Sequence, residues 1–330
     1  MNENKSVIIW LFSGCFLIFT MVVIGGITRL TDSGLSMSTW SLIGGAPPLN
    51  MEEWIAAFNV YKATPEGKMN SHYVLKDFKT IFFWEYLHRM IGRFLGVVFI
   101  IPFGYFLIKK KLSKKTILQC CILLIMGATQ GLIGWWMVKS GLVNKPDVSH
   151  YRLAIHLITA FLTCAYTLWV ALSLIFPSSR KGNKLLFNYI FILFILTLIQ
   201  IVYGAFVSGL KAGRIYNTWP KMGDQWIPDS VFLDAGAGSQ FIHRTLALII
   251  VAFTFYIWKK SKKIDLSKLH NKSLSLLPTL VTIQTVLGVL TLITVIPISL
   301  ALTHQIVGFF LLISLVFNLF LFKPLKQESV

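Results

Sequence analysis

EYLHRMIGRFLGVV (residues 85–98) and QFIHRTLALIIVAF (residues 240–253) are passages of one chain that answer each other, with His88 standing where His243 stands. Each opens an apolar run, and neither match is isolated. Upstream, GGITRLTDSGLSMSTW (25–40) answers YGAFVSGLKAGRIYNTW (203–219). Downstream, ATQGLIG (128–134) answers TIQTVLG (282–288), and LAIHLITAFL (153–162) answers LALTHQIVGFFL (300–311). The last match sets His156 against His304, at nearly the offset that relates the first two histidines. Apolar drift can imitate similarity, but it does not align His, Gln, Gly and Trp, so the chain reads as an internal duplication.

The chain around these passages has 330 residues, of which 55% are hydrophobic and only 13% charged, with a mean hydropathy of +0.69. Such a composition names the bilayer as solvent. Apolar runs of about 20 residues, enough to cross the hydrocarbon, start near Val7, Ile81, Thr116, Leu153, Leu185, Phe241, Ser273 and Leu300. The first continues to about Ile27 with no small-residue cleavage site, and reads as a span rather than a signal peptide. The predicted fold is therefore all-α: eight transmembrane helices forming two pseudo-twofold-related four-helix bundles, residues 1–180 and 181–330. An even number of spans returns the chain to the side it left, so the repeat is parallel, with its axis along the membrane normal.

A net charge of +18 would suit nucleic acid only if basic residues alternated with aromatics on an exposed surface. Here they cluster between spans. Lys5, KKKLSKK (109–115), RKGNK (180–184), the stretch 259–272, Lys323 and Lys326 hold more than half of the 31 basic residues on one side. The opposite connections carry Asp32, Glu52, Glu53, Glu66, Asp77, Asp147, Asp224, Asp229 and Asp234. The positive-inside rule then places both termini in the cytoplasm, with membrane lipid and not nucleic acid as the surroundings. The long outer segments, residues 29–79 and 209–240, are rich in Gly, Pro and Trp, and read as interfacial caps without a core of their own. Cys15, Cys120, Cys121 and Cys164 lie in apolar runs without CxxC spacing, which predicts buried thiols and no disulfide.

His88, His156, His243 and His304 each fall in the first turns of an even-numbered span, at one depth near the outer face. Polar side chains at such depth are costly and mark function. The second and fourth helices of a bundle face each other, so His88 pairs with His156 and His243 with His304, each couple suited to hold a haem between opposed imidazoles. Zinc would want more ligands, and only Glu85 is at hand. Arg89 and Arg244, directly after the first histidine of each couple, with Arg93 a turn further along, suit haem propionates, since guanidinium pairs with carboxylate in bidentate fashion. His72, His150 and His270 are expected in loops.

The halves differ where chemistry is expected. Glu85 lies three residues before His88, on the same helix face, whereas Gln240 precedes His243. An acid beside one couple only suggests that the first half reacts while the second stores or relays electrons. A plain i, i+4 pair between Glu85 and Arg89 is the structural alternative.

KDFKTIFFWEYLHRMIGR (76–93) resembles the signature of the haem A synthase family, and GGITRLTDSGLSM resembles that family's first outer segment. The resemblance runs over essentially the whole chain. It implies oxidation of the haem O methyl group to a formyl group, by two hydroxylations and loss of water, giving haem A for terminal oxidases. It also implies haem b on His243 and His304, a haem O substrate site at His88 and His156, and a catalytic acid at Glu85. An inner-membrane location, supply by a haem O synthase, an electron donor such as ferredoxin, and room for a homo-oligomer come with it. No cysteine lies between Cys15 and Cys120, so the chain is similar to the subgroup without an outer-loop cysteine pair, that of mitochondrial and proteobacterial members. A dihaem electron-transfer protein of cytochrome b type would share the ligands but make no modified haem. A transporter should show Gly or Pro breaks in its spans, and Pro102 stands without a counterpart.

Overall fold

The computed structural model describes residues 4–37, 46–141, 147–176 and 182–324, so that Trp40, Arg180 and Lys326 lie outside the described residues. Among the described residues the regular structure is helical, joined by turns and irregular segments, with one isolated β-bridge between Met222 and Gln225. The helices are α1 (Lys5–Leu30), α2 (Met51–Ala63), α3 (Pro65–Met69), α4 (Leu75–Ile108), α5 (Lys114–Lys139), α6 (His150–Ile175), α7 (Lys184–Gly209), α8 (Ser230–Leu233), α9 (Ala235–Ser261), α10 (Lys268–Ile293) and α11 (Ile298–Phe322). Among the described residues eight of them, all but α2, α3 and α8, are long and apolar enough to cross a membrane. Helices suit that solvent because every backbone donor and acceptor is satisfied within the segment.

Several helices begin earlier than apolarity announces. α4 starts at Leu75 rather than near Ile81, and α9 at Ala235 rather than near Phe241. Capping decides these ends, not hydropathy. Asp77 Oδ2 accepts the Val74 amide at 3.0 Å, and Asp234 Oδ1 accepts the Ala237 amide at 2.7 Å, each satisfying a donor left over at a helix N-terminus. At about 1.5 Å per residue α4 is about 50 Å long, more than the hydrocarbon needs. His88 therefore sits well inside its helix and not in the first turns, whereas His156 and His304 do lie in the second turn of theirs. His270, expected in a loop, is in the first turns of α10, with its ring against Phe322 at 4.7 Å and Nε2 at 3.2 Å from the Leu321 carbonyl. Pro278 also lies within α10, so Pro102 is not the sole proline inside a described helix.

The chain divides into two compact units, Ser13–Thr163 on one hand and Met1–Phe12 with Cys164–Val330 on the other. In the first, α2 and α3 pack on the first turns of α4. Trp54 meets Phe82 edge-on at 5.1 Å, and Phe58 and Tyr61 lie 5.3 and 5.2 Å from Phe78. This segment, expected to have no core, shares a small aromatic one, because the first turns of α4 supply Phe78, Ile81 and Phe82. Burial pushes the Tyr61 phenol up to about 12, and its oxygen accepts from Asn70 Nδ2 at 3.1 Å. Arg152 donates to the Trp136 carbonyl at 2.6 Å and lies over its ring at 4.3 Å, tying α6 to the end of α5.

In the second unit α7 packs on α9, α9 on α10, α10 on α11 and α11 back on α7. Leu186, Ile190, Leu193, Ile250, Ile257, Leu277, Leu311 and Leu315 form its core. Lipid is as apolar as leucine, so close packing and interhelical hydrogen bonds hold such a ring together. Buried Asn318 of α11 accepts from Ser273 Oγ of α10 at 2.9 Å. No disulfide joins Cys15, Cys120, Cys121 or Cys164.

Candidate functional site

Each unit contains two half-buried histidines of the predicted couples. In the second unit the rings of His243 on α9 and His304 on α11 lie 6.3 Å apart, centre to centre, at 73°. Two metal–imidazole bonds of about 2 Å, with about 1 Å from ring nitrogen to ring centre on either side, add up to about 6 Å across one metal ion. The spacing fits a single iron between two imidazoles. In the first unit the corresponding histidines are His88 on α4 and His156 on α6. Among the described residues no group of three or more His, Cys, Asp or Glu gathers as a metal cluster. A porphyrin brings its own equatorial ligands and asks the protein only for axial ones, so a couple is what it requires.

A glycine from the preceding long helix faces every one of the four rings. A Cβ at Gly25 would meet His88 Cε1 at 3.0 Å, one at Gly134 His156 Cε1 at 3.3 Å, one at Gly204 His243 Cε1 at 3.2 Å, and one at Gly288 His304 Cε1 at 2.9 Å. Two glutamines attend the second couple. Gln284 Nε2 is 3.3 Å from His304 Nε2, and Gln200 Nε2 is 3.5 Å from His243 Nε2 while donating to the His243 carbonyl at 2.9 Å. The Nδ1 atoms of His88, His156 and His243 are buried without a hydrogen-bond partner.

Beside each couple an arginine and the residue four before it clamp the outer segment. Glu85 is 3% exposed. Its Oε2 accepts from Ser36 Oγ at 2.6 Å and from the Met37 amide at 2.9 Å, and its Oε1 accepts from Arg89 Nη2 at 2.5 Å. Arg89 Nη2 also reaches the Met37 carbonyl at 3.2 Å. The pairing of Glu85 with Arg89 is thus present, as part of a larger latch. In the second unit Gln240 Nε2 and Arg244 Nη2 both donate to the Tyr216 carbonyl, at 2.9 and 2.8 Å. Met37 and Tyr216 occupy equivalent places in the duplicated sequence, three residues before Trp40 and Trp219. The arginines expected to face propionates are here bound to outer-segment backbone, although Arg244 keeps a buried Nε without a partner. Arg93 Nη1 rests on Met90 Sδ at 3.4 Å.

The sequence-predicted residues Glu85, His88, Arg89 and His156 fall in one unit, and His243, Arg244 and His304 in the other. Sequence reasoning missed Ser36, the two carbonyl clamps, Gln200 and the glycines. The signal was available for most of them, since Gly25, Gly204, Gly134 and Gly288 stand in the matched passages at equivalent places. They went unread because a glycine in an apolar helix has no chemistry until something packs against it.

The fold and these residues define a polytopic helical protein with two half-buried histidines in each compact unit. The chain belongs to the family described as Cytochrome oxidase assembly protein (COX15-CtaA), which residues 8–316 match. It is 51% identical to Heme A synthase of Flavobacterium johnsoniae, over 96% of this chain and 98% of that one. It is 42% identical to Heme A synthase of Nitrosospira multiformis, over 92% and 89%. To Heme A synthase COX15 of Arabidopsis thaliana it is 40% identical, over 92% of this chain and 72% of that protein.

Proposed function

We propose that this chain is a haem A synthase of the cell inner membrane, an oxidoreductase that converts the methyl group of haem O to a formyl group. The observation that carries the proposal is two half-buried histidines in each compact unit, with the rings of His243 and His304 spaced as two imidazoles that would share one iron. Near full-length similarity to proteins named Heme A synthase supports it. On this reading the N-terminal half, residues 1–180, takes haem O on His88 and His156, and the C-terminal half, 181–330, holds haem b on His243 and His304. The halves are two four-helix bundles related by a pseudo-twofold axis along the membrane normal, with both termini cytoplasmic. The repeated pairing of glycine with histidine and of arginine with loop carbonyl supports that symmetry. Haem O comes from a haem O synthase, and electrons from a donor such as ferredoxin.

Bound iron supplies the oxidising chemistry. The protein holds and orients. Glu85 stands one turn from His88 with its carboxylate fixed by Ser36, Met37 and Arg89, and Oε1 keeps lone-pair capacity beyond its single bond to Arg89. There it accepts the proton released at the oxidised methyl carbon, or stabilises positive charge as it develops. The Arg89 and Arg244 clamps hold the outer segments in place, and the unpartnered Arg244 Nε offers a donor to a propionate.

The test is to express the full chain beside a haem O producer, chromatograph the extracted haems, and record the low-spin spectrum. The parent should yield haem A. His88→Ala should accumulate haem O while keeping the resident low-spin haem, and His243→Ala should lose that resident signal. A parent that carries haem at both couples yet leaves haem O unaltered would be an electron-transfer protein of cytochrome b type instead.

A further inference from the structure

The four glycines are not scattered. Counting back four residues along each helix from Gly25, Gly134, Gly204 and Gly288 gives Met21, Gln130, Gln200 and Gln284. The backbone carbonyl at that place receives the glycine's own amide within the helix, and keeps a second lone pair. At one of the four sites that lone pair is in use. His304 Nδ1 lies 3.1 Å from the Gln284 carbonyl oxygen. A carbonyl can only accept, so Nδ1 carries the hydrogen and Nε2 keeps its lone pair. The Gln284 amide nitrogen, which can only donate, lies 3.3 Å from that same Nε2. Both contacts assign one tautomer to His304. Gln200 Nε2 lies 3.5 Å from His243 Nε2, and the same assignment follows there.

The imidazole reaches the carbonyl only because the residue one turn along has no side chain. At Gly288 a Cβ would stand 2.9 Å from Cε1 and 3.4 Å from Nδ1 of His304, inside van der Waals contact. At Gly25, too, Nδ1 is nearer than Nε2, at 3.5 against 3.9 Å, and at Gly204 Nδ1 lies at 3.7 Å, while at Gly134 the two ring nitrogens are equally near, at 3.8 Å. The Nδ1 atoms of His88, His156 and His243 are buried without a partner. A buried ring N–H requires an acceptor, and a metal-bound histidine donates its other nitrogen in nearly every case. His243 already faces the Gln200 backbone.

We infer that Gly25, Gly134, Gly204 and Gly288 are positioning residues. Each opens the carbonyl four residues before it, that of Met21, Gln130, Gln200 or Gln284, to the Nδ1–H of one histidine, so that all four imidazoles present Nε2 to iron. The inference rests on the haem-binding reading above. It goes further in assigning which nitrogen binds, what orients it, and which residues set the ligand's basicity.

The test uses the full chain with its resident haem. Gly288→Ala is compared with Gly131→Ala, a helical glycine whose added Cβ would meet nothing within 4 Å. Both changes favour the helix, so unfolding temperature should not separate them. Low-spin electron paramagnetic resonance and midpoint potential should. Pushing His304 off its carbonyl weakens the imidazole's donation to iron, so Gly288→Ala should shift the g values and raise the potential, while Gly131→Ala matches the parent. Gly204→Ala, where the space is 3.2 Å rather than 2.9 Å, should shift them less, and it carries the comparison should Gly288→Ala not accumulate. Identical spectra and potentials in the parent and both glycine variants at the couple would overturn the inference while leaving the proposed function intact. A parent without low-spin bis-histidine haem would overturn both.

Discussion

The two outer latches are built on one plan and differ in one chemical respect. Each joins an arginine directly after the first histidine of a couple, the residue three before that histidine, and one backbone carbonyl of the outer segment. In the second unit the middle member is Gln240, whose Oε1 is left unpaired. In the first unit it is Glu85, and the fold supplies two further donors, Ser36 Oγ and the Met37 amide. Ser36 corresponds to Ile215 in the repeat, where no hydroxyl is available. A buried carboxylate needs charged or polar donors to offset its lost hydration, and Arg89, Ser36 and the Met37 amide supply them here. The first unit has both the acid and its cradle, and the second has neither. Among these latch residues a carboxylate stands in the first unit alone.

The comparison breaks most sharply if the acid is made like its counterpart. Glu85→Gln should cut haem A formation by about 10²-fold or more, the usual contribution of a positioned acid–base group, with the low-spin signal of the second couple unchanged. Haem chromatography and absorbance on one preparation measure both, and a parental rate would remove Glu85 from the chemistry. The reverse exchange comes next. Gln240→Glu puts a carboxylate beside Arg244 without a hydroxyl donor, and thermal unfolding in detergent should show a loss of about 1–3 kcal/mol. Adding Ile215→Ser should restore part of it, and strict additivity of the two changes would mean that the cradle is not what holds the acid. The smallest effect belongs to Ser36→Ala, which removes one donor of three and should cost about 1–2 kcal/mol. It should also slow haem A formation by less than Glu85→Gln does.

Much of this was legible before any coordinates. The eight apolar runs, the duplication, the four histidines and the acid on one side alone could all be read from spacing and residue type, because membrane spans obey a length rule and ionisable groups are rare inside them. What could not be read had a common cause. The helical first turns of α4 are polar, with Lys76, Asp77 and Lys79, so apolarity placed the start too late and His88 too near its helix end. The aromatic core of the cap is made by residues far apart in the chain, Tyr61 with Phe78 and Phe82. A hydrogen bond between Ser36 and Glu85 spans 49 residues and leaves no periodicity behind.

By itself the sequence determined the apolar character of the chain, the number of its spans and the matched passages that carry the four histidines, since each of these follows from composition or from local repeats. Only the tertiary structure decided what each such residue touches. Glu85 became the centre of a latch, Arg89 and Arg244 turned to loop carbonyls, and four unremarked glycines came to lie against four imidazoles. The physical reason is that a side chain's charge state, tautomer and aim are set by neighbours within a few ångströms, and in a helical membrane protein those neighbours come from other helices.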